Sequence, residues 1–378
     1  MSQRFSNVRS QYDLPNDVTY LNTAYLSPLM KSVSEAGHGG VERKSQPWHL
    51  SGELFFEESE KYRALAATLL GTEPQHLAII PSVSYGLAIA AANLPVASHQ
   101  QILLLEGQFP SNVYVWQEAA KAAGAEVRFV SREATQTWAE AICAQLTEQV
   151  AVVSLPQCHW SDGGFVDLIE VSRKARKVGA ALVVDATQSL GAMEFSLEEV
   201  QPDFVACAGY KWLQGPYGLG FLYASSRWFQ ARPIEFNWIT RKNSHEFSRL
   251  VDYQPEFSAG ASRFDMGERS NFITLPMGIA ALEQILKWGV INISQYLETL
   301  TDLIAEKAKQ VGLQVADKKF RSPHMLGIGA TSHLSLKTPA ELSQERIYVS
   351  VRGDAMRISP YVFNSPSDIE RLFEVLES

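Results

Sequence analysis

Cysteine is scarce in this chain of 378 residues: Cys143, Cys158 and Cys207 are its whole complement. Three thiols cannot all pair, and their spacing matches no metal-binding pattern. A disulfide framework and a cysteine-built metal centre are therefore not expected, and the three read as reduced, mostly buried thiols of a cytoplasmic protein. Clusters of basic residues are missing as well. Lysine and arginine are dispersed, and 41 acidic residues against 33 basic ones leave a net charge of −8. That balance sets nucleic acid and anionic membranes aside as main partners. No apolar run approaches the length of a membrane span, and the opening residues 1–7 have no apolar signal core. Internal repeats and low-complexity tracts are absent. A dinucleotide-binding fingerprint is absent too: the glycine cluster Gly215, Gly218 and Gly220 precedes a strand pattern instead of joining a first strand to its helix. Hydrophobic residues make up 46% of the chain, as in an ordinary globular protein. Its length exceeds what one core comfortably serves, so a large and a smaller domain are expected.

Alternation is the pattern that is present. Residues 53–70 carry apolar groups at helical spacing and stop at Gly71, and Leu77–Ile80 is an apolar strand. Strand patterns at 102–105, 127–130, 150–155 and 181–185 alternate with helical patterns at 112–123, 138–146 and 168–178, the first and last closed by Gly124 and Gly179. Repeated β–α–β units with continuously apolar strands predict an α/β fold with a mostly parallel sheet covered by helices on both faces. Ligands of such sheets bind beyond the carboxyl ends of the strands. The stretch 232–262 is polar, aromatic and irregular, which suggests an excursion near the site or an interface. Helical patterns at 277–288 and 292–311, short strands around Leu326 and Tyr348, and a last helix at 367–376 predict a smaller C-terminal α/β domain. The division expected is a large domain over 16–260 and a small one over 261–378, with 1–15 packing on the latter.

The chemistry concentrates in two segments. In Asp203-Phe-Val-Ala-Cys-Ala-Gly-Tyr-Lys-Trp-Leu-Gln-Gly-Pro-Tyr-Gly-Leu-Gly-Phe-Leu-Tyr223, a buried strand stops at Gly209, presents Tyr210 and Lys211, and passes through a glycine-rich turn into another apolar run. A lysine held this close to buried strands loses solvation; its pKa falls and the neutral amine becomes a nucleophile toward aldehydes. Upstream, Asp185 ends the 181–185 strand and Gln188 follows in Asp185-Ala-Thr-Gln-Ser-Leu-Gly191. Alone, such an aspartate is as readily a helix cap or a turn residue. The order, however, is strand, Asp-x-x-Gln, helix, strand, Lys, glycine-rich turn.

That order resembles the class V aminotransferase family of fold-type-I pyridoxal-phosphate enzymes, which also holds cysteine desulfurases, selenocysteine lyases and kynureninases. The resemblance covers nearly the whole chain, from Tyr20-Leu-Asn-Thr-Ala-Tyr-Leu-Ser-Pro28 to Val351-Arg-Gly-Asp-Ala-Met-Arg-Ile-Ser-Pro-Tyr-Val-Phe-Asn364. It implies a homodimer that binds pyridoxal 5′-phosphate (PLP), acts on a small amino-acid-like substrate and needs no metal. It implies that Lys211 bonds the cofactor and later shuttles protons at the substrate α-carbon, that Asp185 keeps the ring nitrogen protonated, and that Gln188 faces the ring's phenolic oxygen. Phe109 matches the residue that stacks on the ring. Ser82, Val83 and Ser84, between the 77–80 strand and an alanine-rich helix, match the phosphate loop. Tyr210 would add a hydroxyl to the phosphate or a face to the cleft, and Trp160 falls where desulfurases often have an asparagine near the cofactor. Arg352 aligns with the arginine that pairs with a substrate carboxylate, with Arg357 its structural partner or the two roles reversed. Glu268 stands where relatives use a threonine to reach the neighbouring subunit's phosphate; Arg269 or a backbone amide is the expected substitute.

Among reactions on this scaffold, transamination is expected first, with C–S lyase and kynureninase-like hydrolase chemistry as alternatives. A desulfurase is not expected. Phe109 stacks but cannot carry a proton, as the usual histidine does, and no cysteine lies between His324 and Arg352 to accept sulfur. If a proton donor were needed, His159 is the nearest candidate.

Overall fold

The computed structural model describes residue 5, residues 8–331 and residues 336–377. After a short strand β1 (Thr19–Tyr20) come helices α1 (Lys31–Ser45) and α2 (Leu54–Leu70), then strand β2 (Leu77–Ile80) and helix α3 (Val83–Asn93). The alternation predicted from the apolar runs follows: β3 (Gln101–Leu105), α4 (Ser111–Ala123), β4 (Glu126–Val130), α5 (Trp138–Gln145), β5 (Val150–Pro156), α6 (Leu168–Val178) and β6 (Ala181–Asp185). Gly71, Gly124 and Gly179 close α2, α4 and α6 in the left-handed conformation at φ 67°, 69° and 78°, where a side chain would be strained. Between β6 and β7 (Phe204–Ala208) the expected helix shrinks to one turn, α7 (Leu197–Val200). The chain turns tightly at residues 186–191 instead, and Gly191, at φ 92°, lies against the Trp212 carbonyl. Strand β8 (Gly220–Ala224) returns directly from β7.

These strands form one seven-stranded sheet in the order β2-β8-β7-β6-β5-β3-β4. From β4 to β7 every pairing is parallel, and only β8 runs against its neighbours. The inner strands are buried along their whole length, which explains why they read as continuous apolar runs. The carboxyl ends of six strands thus share one edge, and the β7–β8 turn lies on it.

Beyond the sheet, α8 (Thr274–Trp288) packs on α1 and α2. It starts before Met277 because Pro276 in its first turn has no lost hydrogen bond to regret. The long α9 (Val290–Gln310) leads to β9 (Gln314–Val315), β10 (Leu326–Gly329), α10 (Pro339–Gln344), β11 (Ile347–Tyr348), β12 (Ser350–Arg352), β13 (Ala355–Ile358) and α11 (Pro366–Glu377). Four of these strands form an antiparallel sheet, β12-β13-β10-β9. The entry segment is tied to this region: β1 pairs in parallel with β11, and Asn22 bridges to Ser359. No helix among the described residues is long and apolar enough to cross a membrane.

Candidate active site

Turns that leave β2, β3, β5, β6 and β7 at the common sheet edge deliver side chains to the same place. Lys211, on the β7–β8 turn, is the meeting point. One cavity of about 190 Å³ is lined by Ser82, Val83, Ser84, Phe109, Asp185 and Lys211, with Thr187, Tyr210 and Tyr217 among its other walls. A second, of about 450 Å³, is lined by Tyr25, Phe109, Trp160, Lys211, Arg352 and Arg357, among others. Phe109, Tyr210, Lys211 and Tyr217 line both. Of the residues singled out for the cofactor and the substrate carboxylate, all converge here except Gln188, which lines neither cavity but donates to the carbonyl of Ala24, a wall of the larger one.

Lys211 is 7% exposed. Burial pulls its ammonium down to a pKa of about 8, against the restoring pull of Asp185 and with help from the like charges of Arg357 and Arg352. Its Nζ lies 5.6 Å from the centre of the Phe109 ring and 5.5 Å from that of Tyr210. The turn that presents it is closed by backbone bonds from Gly209 N to Leu219 O and from Gly215 N to Gly209 O, both 2.8 Å.

Asp185 is the last residue of β6, and burial raises its carboxyl pKa, opposed by hydrogen bonds from Thr187 and by the charge of Lys211. One oxygen accepts from the Thr187 amide at 3.1 Å. Among the described residues no cation lies within ion-pair distance of it. A buried carboxylate facing a cavity with no salt-bridge partner suits a cationic ring nitrogen. Gln188 is held from both ends: its Nε2 donates to the Ala24 carbonyl at 3.0 Å, and its Oε1 accepts from Trp212 Nε1 at 2.8 Å. The indole fixes which end of the amide is the donor, leaving one N–H free. Trp212 is a positioning residue that sequence reasoning passed over, although it sits next to the lysine.

The opposite end of the smaller cavity is the start of α3. Ser82 is its N-cap, accepting from Tyr85 N at 3.2 Å, and its hydroxyl lies 2.9 Å from that of Ser84. Free amides and two hydroxyls at a helix N-terminus form a place for phosphate. Ser111 and Thr187 also reach this cavity, and the sequence reading did not single them out. Only their short polar side chains near motif residues could have signalled it.

Phe109 is set by its neighbour. Gln108 folds back beneath the loop, donating to the carbonyls of Asn112 and Ser154 at 2.9 and 3.2 Å. Phe109 is thereby left at the mouth, 38% exposed, with its ring edge-on to Trp160 at 5.4 Å. Trp160 is pinned by a bond from its Nε1 to the Gly107 carbonyl at 2.7 Å. Two arginines bracket it. Arg357 Nη1 donates to the Trp160 carbonyl at 2.6 Å, and the Arg352 guanidinium lies 5.6 Å from the centre of its ring. Arg357 is 1% exposed, and its Nε and Nη2 have no hydrogen-bond partner among the described residues. Burial, and the neighbouring charge of Arg352, lower its pKa to about 10.

Two suggested residues do not serve the site as expected. His159 does not line either cavity. It is buried, stacked on Trp138 at 5.5 Å, and its two ring nitrogens are taken by Ser161 Oγ at 2.8 Å and the Glu106 carbonyl at 3.1 Å. Arg269 is not available to a neighbouring phosphate, because it is buried in ion pairs with Asp265 and Glu60, beside Arg63. Asp265 also accepts from Ile79 N at 2.7 Å, so this cluster clamps the edge strand β2. Glu268 lines a separate cavity with Lys44 and Trp238. Cys158 and Cys207 are fully buried and Cys143 lies on α5; none lines either of the two cavities.

Comparison with known proteins matches residues 30–372 to the model of the class V aminotransferases. An uncharacterized aminotransferase, YcbU, of Bacillus subtilis is 24% identical over 84% of this chain and 83% of its own. The kynureninase of Geobacillus thermodenitrificans is 26% identical over 82% of this chain and 76% of its own. Among solved structures, a lysine-to-alanine mutant of C-DES, with glycine covalently linked to the PLP cofactor, superposes with a TM-score of 0.87 at 19% identity, over 97% of this chain and 98% of that one. The α/β architecture is thus that of the fold-type-I enzymes.

Proposed function

The chain belongs to the class V aminotransferase family, and on that premise we propose that this PLP-dependent enzyme is an aminotransferase working from the Lys211 cleft. The observation that carries the reading is the placement of Lys211, its amine depressed to about 8, where a cavity holding an unpaired buried carboxylate meets a second cavity lined by arginines. PLP supplies an aldehyde that condenses with amines and a protonated ring that draws electrons from the α-carbon of a bound amino acid.

The residues divide the work. Ser82, the Val83 amide and Ser84 would hold the phosphate. Asp185 would hold the proton on the ring nitrogen, Gln188 would donate its free N–H to the phenolic oxygen, and Phe109 would cover one face of the ring. Tyr210 and Tyr217, with ring centres 4.6 Å apart, wall the cleft. Lys211 would bond the cofactor and, once displaced by substrate, use the same amine to take a proton from the α-carbon. We assign the substrate α-carboxylate to Arg357 and not to Arg352, the reversal of roles that the family resemblance left open. The two unpartnered donors of Arg357, Nε and Nη2, form one edge of the guanidinium; that edge is closed to solvent in this structure, and a side-chain shift that opened it to the cleft would offer it to the two oxygens of a carboxylate. Trp160 fixes the fork by accepting from its third nitrogen. Among the described residues no thiol and no histidine lines the cleft, and Phe109 holds the stacking position, which disfavours sulfur abstraction.

The test is the fate of the nitrogen. With an isotopically labelled donor amino acid and an unlabelled 2-oxo acid, the label should appear in the amino acid newly formed from the oxo acid. Label recovered mainly as ammonia would replace the transaminase reading with a lyase.

A further inference from the structure

Arg352 is left without a task when Arg357 holds the α-carboxylate. The β12–β13 register pairs Arg357 with Ser350, and Ser350 and Arg352 are two apart on one strand, so both arginines stand on the same face of the hairpin as diagonal neighbours. Both line the larger cavity, and its walls contain no carboxylate. Among the described residues no acidic group lies within ion-pair distance of either guanidinium. Among the described residues the one hydrogen bond of the Arg352 guanidinium is from Nη1 to its neighbour's carbonyl, Val351 O, at 2.8 Å. Its plane is steadied by the Trp160 ring, itself tied to Gly107. Lys211, Arg352 and Arg357 therefore face one carboxylate, Asp185, which lies in the other cavity. A donor with one carboxylate would leave a fixed cation at the cleft wall unpaired, where apolar walls make pairing worth more than it is in water.

We infer that Arg352 is a specificity-determining residue and that the preferred substrate is an amino acid whose side chain carries a second carboxylate. The α-carboxylate takes the buried fork of Arg357, and the side-chain carboxylate reaches across Trp160 to Arg352, nearer the mouth. The inference rests on the PLP reading above.

The test is a calorimetric titration of the holoenzyme, its cofactor content checked by absorbance, with unreactive acids. Succinate and glutarate are compared with the monocarboxylates butyrate and valerate. The dicarboxylates should bind at least about tenfold more tightly. In Arg352→Gln that preference should vanish, with monocarboxylate affinity within about twofold of the parent. Arg357→Lys should weaken both classes. Equal affinity of the parent for both classes overturns the inference and leaves the cofactor reading standing. An Arg352→Gln variant that loses both classes alike also overturns it, because both arginines would then grip one carboxylate. A chain that takes up no PLP overturns the cofactor reading and the inference together.

Discussion

At the scale of single residues, environment separates functional groups from their look-alikes. Lys211 differs from the other lysines by burial beside two arginines and one aspartate. Its amine is half neutral near pH 8, whereas the unfolded chain keeps the ordinary 10.5. Between those values the unfolded chain binds more protons, so Lys211 makes the apoprotein more stable as pH rises through that window. The same shift predicts the kinetics of cofactor capture. The rate of PLP uptake by apoprotein should level off above about pH 8 and fall about tenfold per unit below it. A stopped-flow profile that stays flat below that point would contradict the assignment. That Asp185 and Lys211 meet at one cavity was legible in the sequence, because each follows an apolar strand that ends at the same sheet edge. The division of labour proposed for Arg352 and Arg357 was not. Five residues apart on one hairpin, they are distinguished only by burial and by which donors lack partners. The place of His159 was not legible for a related reason: the Ser161 hydroxyl and the Glu106 carbonyl that hold its ring, outside both cavities, are brought to it by folding.

At the scale of elements, turns place the side chains and strands place the turns. The helices closed by Gly71, Gly124 and Gly179 were legible, as were the apolar strands. The order of strands was not: β2 reaches the sheet edge beside β8, held by Asp265, which is nearly two hundred residues downstream. The turn carrying Trp160 shows what such placement requires. Gly163 sits at φ 77°, and a Cβ there would run into the Met325 carbonyl, while its own carbonyl accepts from Ser322 N and Oγ, both at 2.8 Å. Gly163→Ala should lower the unfolding free energy by about 2 kcal/mol in denaturant titrations. Gly39, inside α1, has open space around it, and Gly39→Ala should raise stability by about 0.5–1 kcal/mol. A Gly163→Ala protein as stable as the parent would show that the Met325 carbonyl does not crowd position 163, and a Gly39→Ala protein no more stable than the parent would show that α1 gains nothing from the added methyl.

At the scale of the molecule, the cleft opens among exposed aromatic groups. Tyr25 and Tyr217, which line the larger cavity, are 57% and 74% exposed, and Phe109, which lines it too, is 38% exposed. Large apolar groups concentrated around a site mark a surface that another protein covers. The holoenzyme should therefore sediment as a homodimer, at twice the 42.0 kDa of one chain, and an active cofactor-loaded monomer would refute this. The irregular stretch 232–262 was legible as an excursion. Its aromatic packing, with Trp238 and Phe247 against Phe55 and Phe56, was not, because those partners lie on α2. All three scales depend on one bond. Purified holoenzyme treated with borohydride and digested should carry its reduced pyridoxyl group on the peptide containing Lys211, and Lys211→Ala should carry none and turn over no substrate. A pyridoxyl group on any other lysine, or an active Lys211→Ala enzyme, would contradict the account.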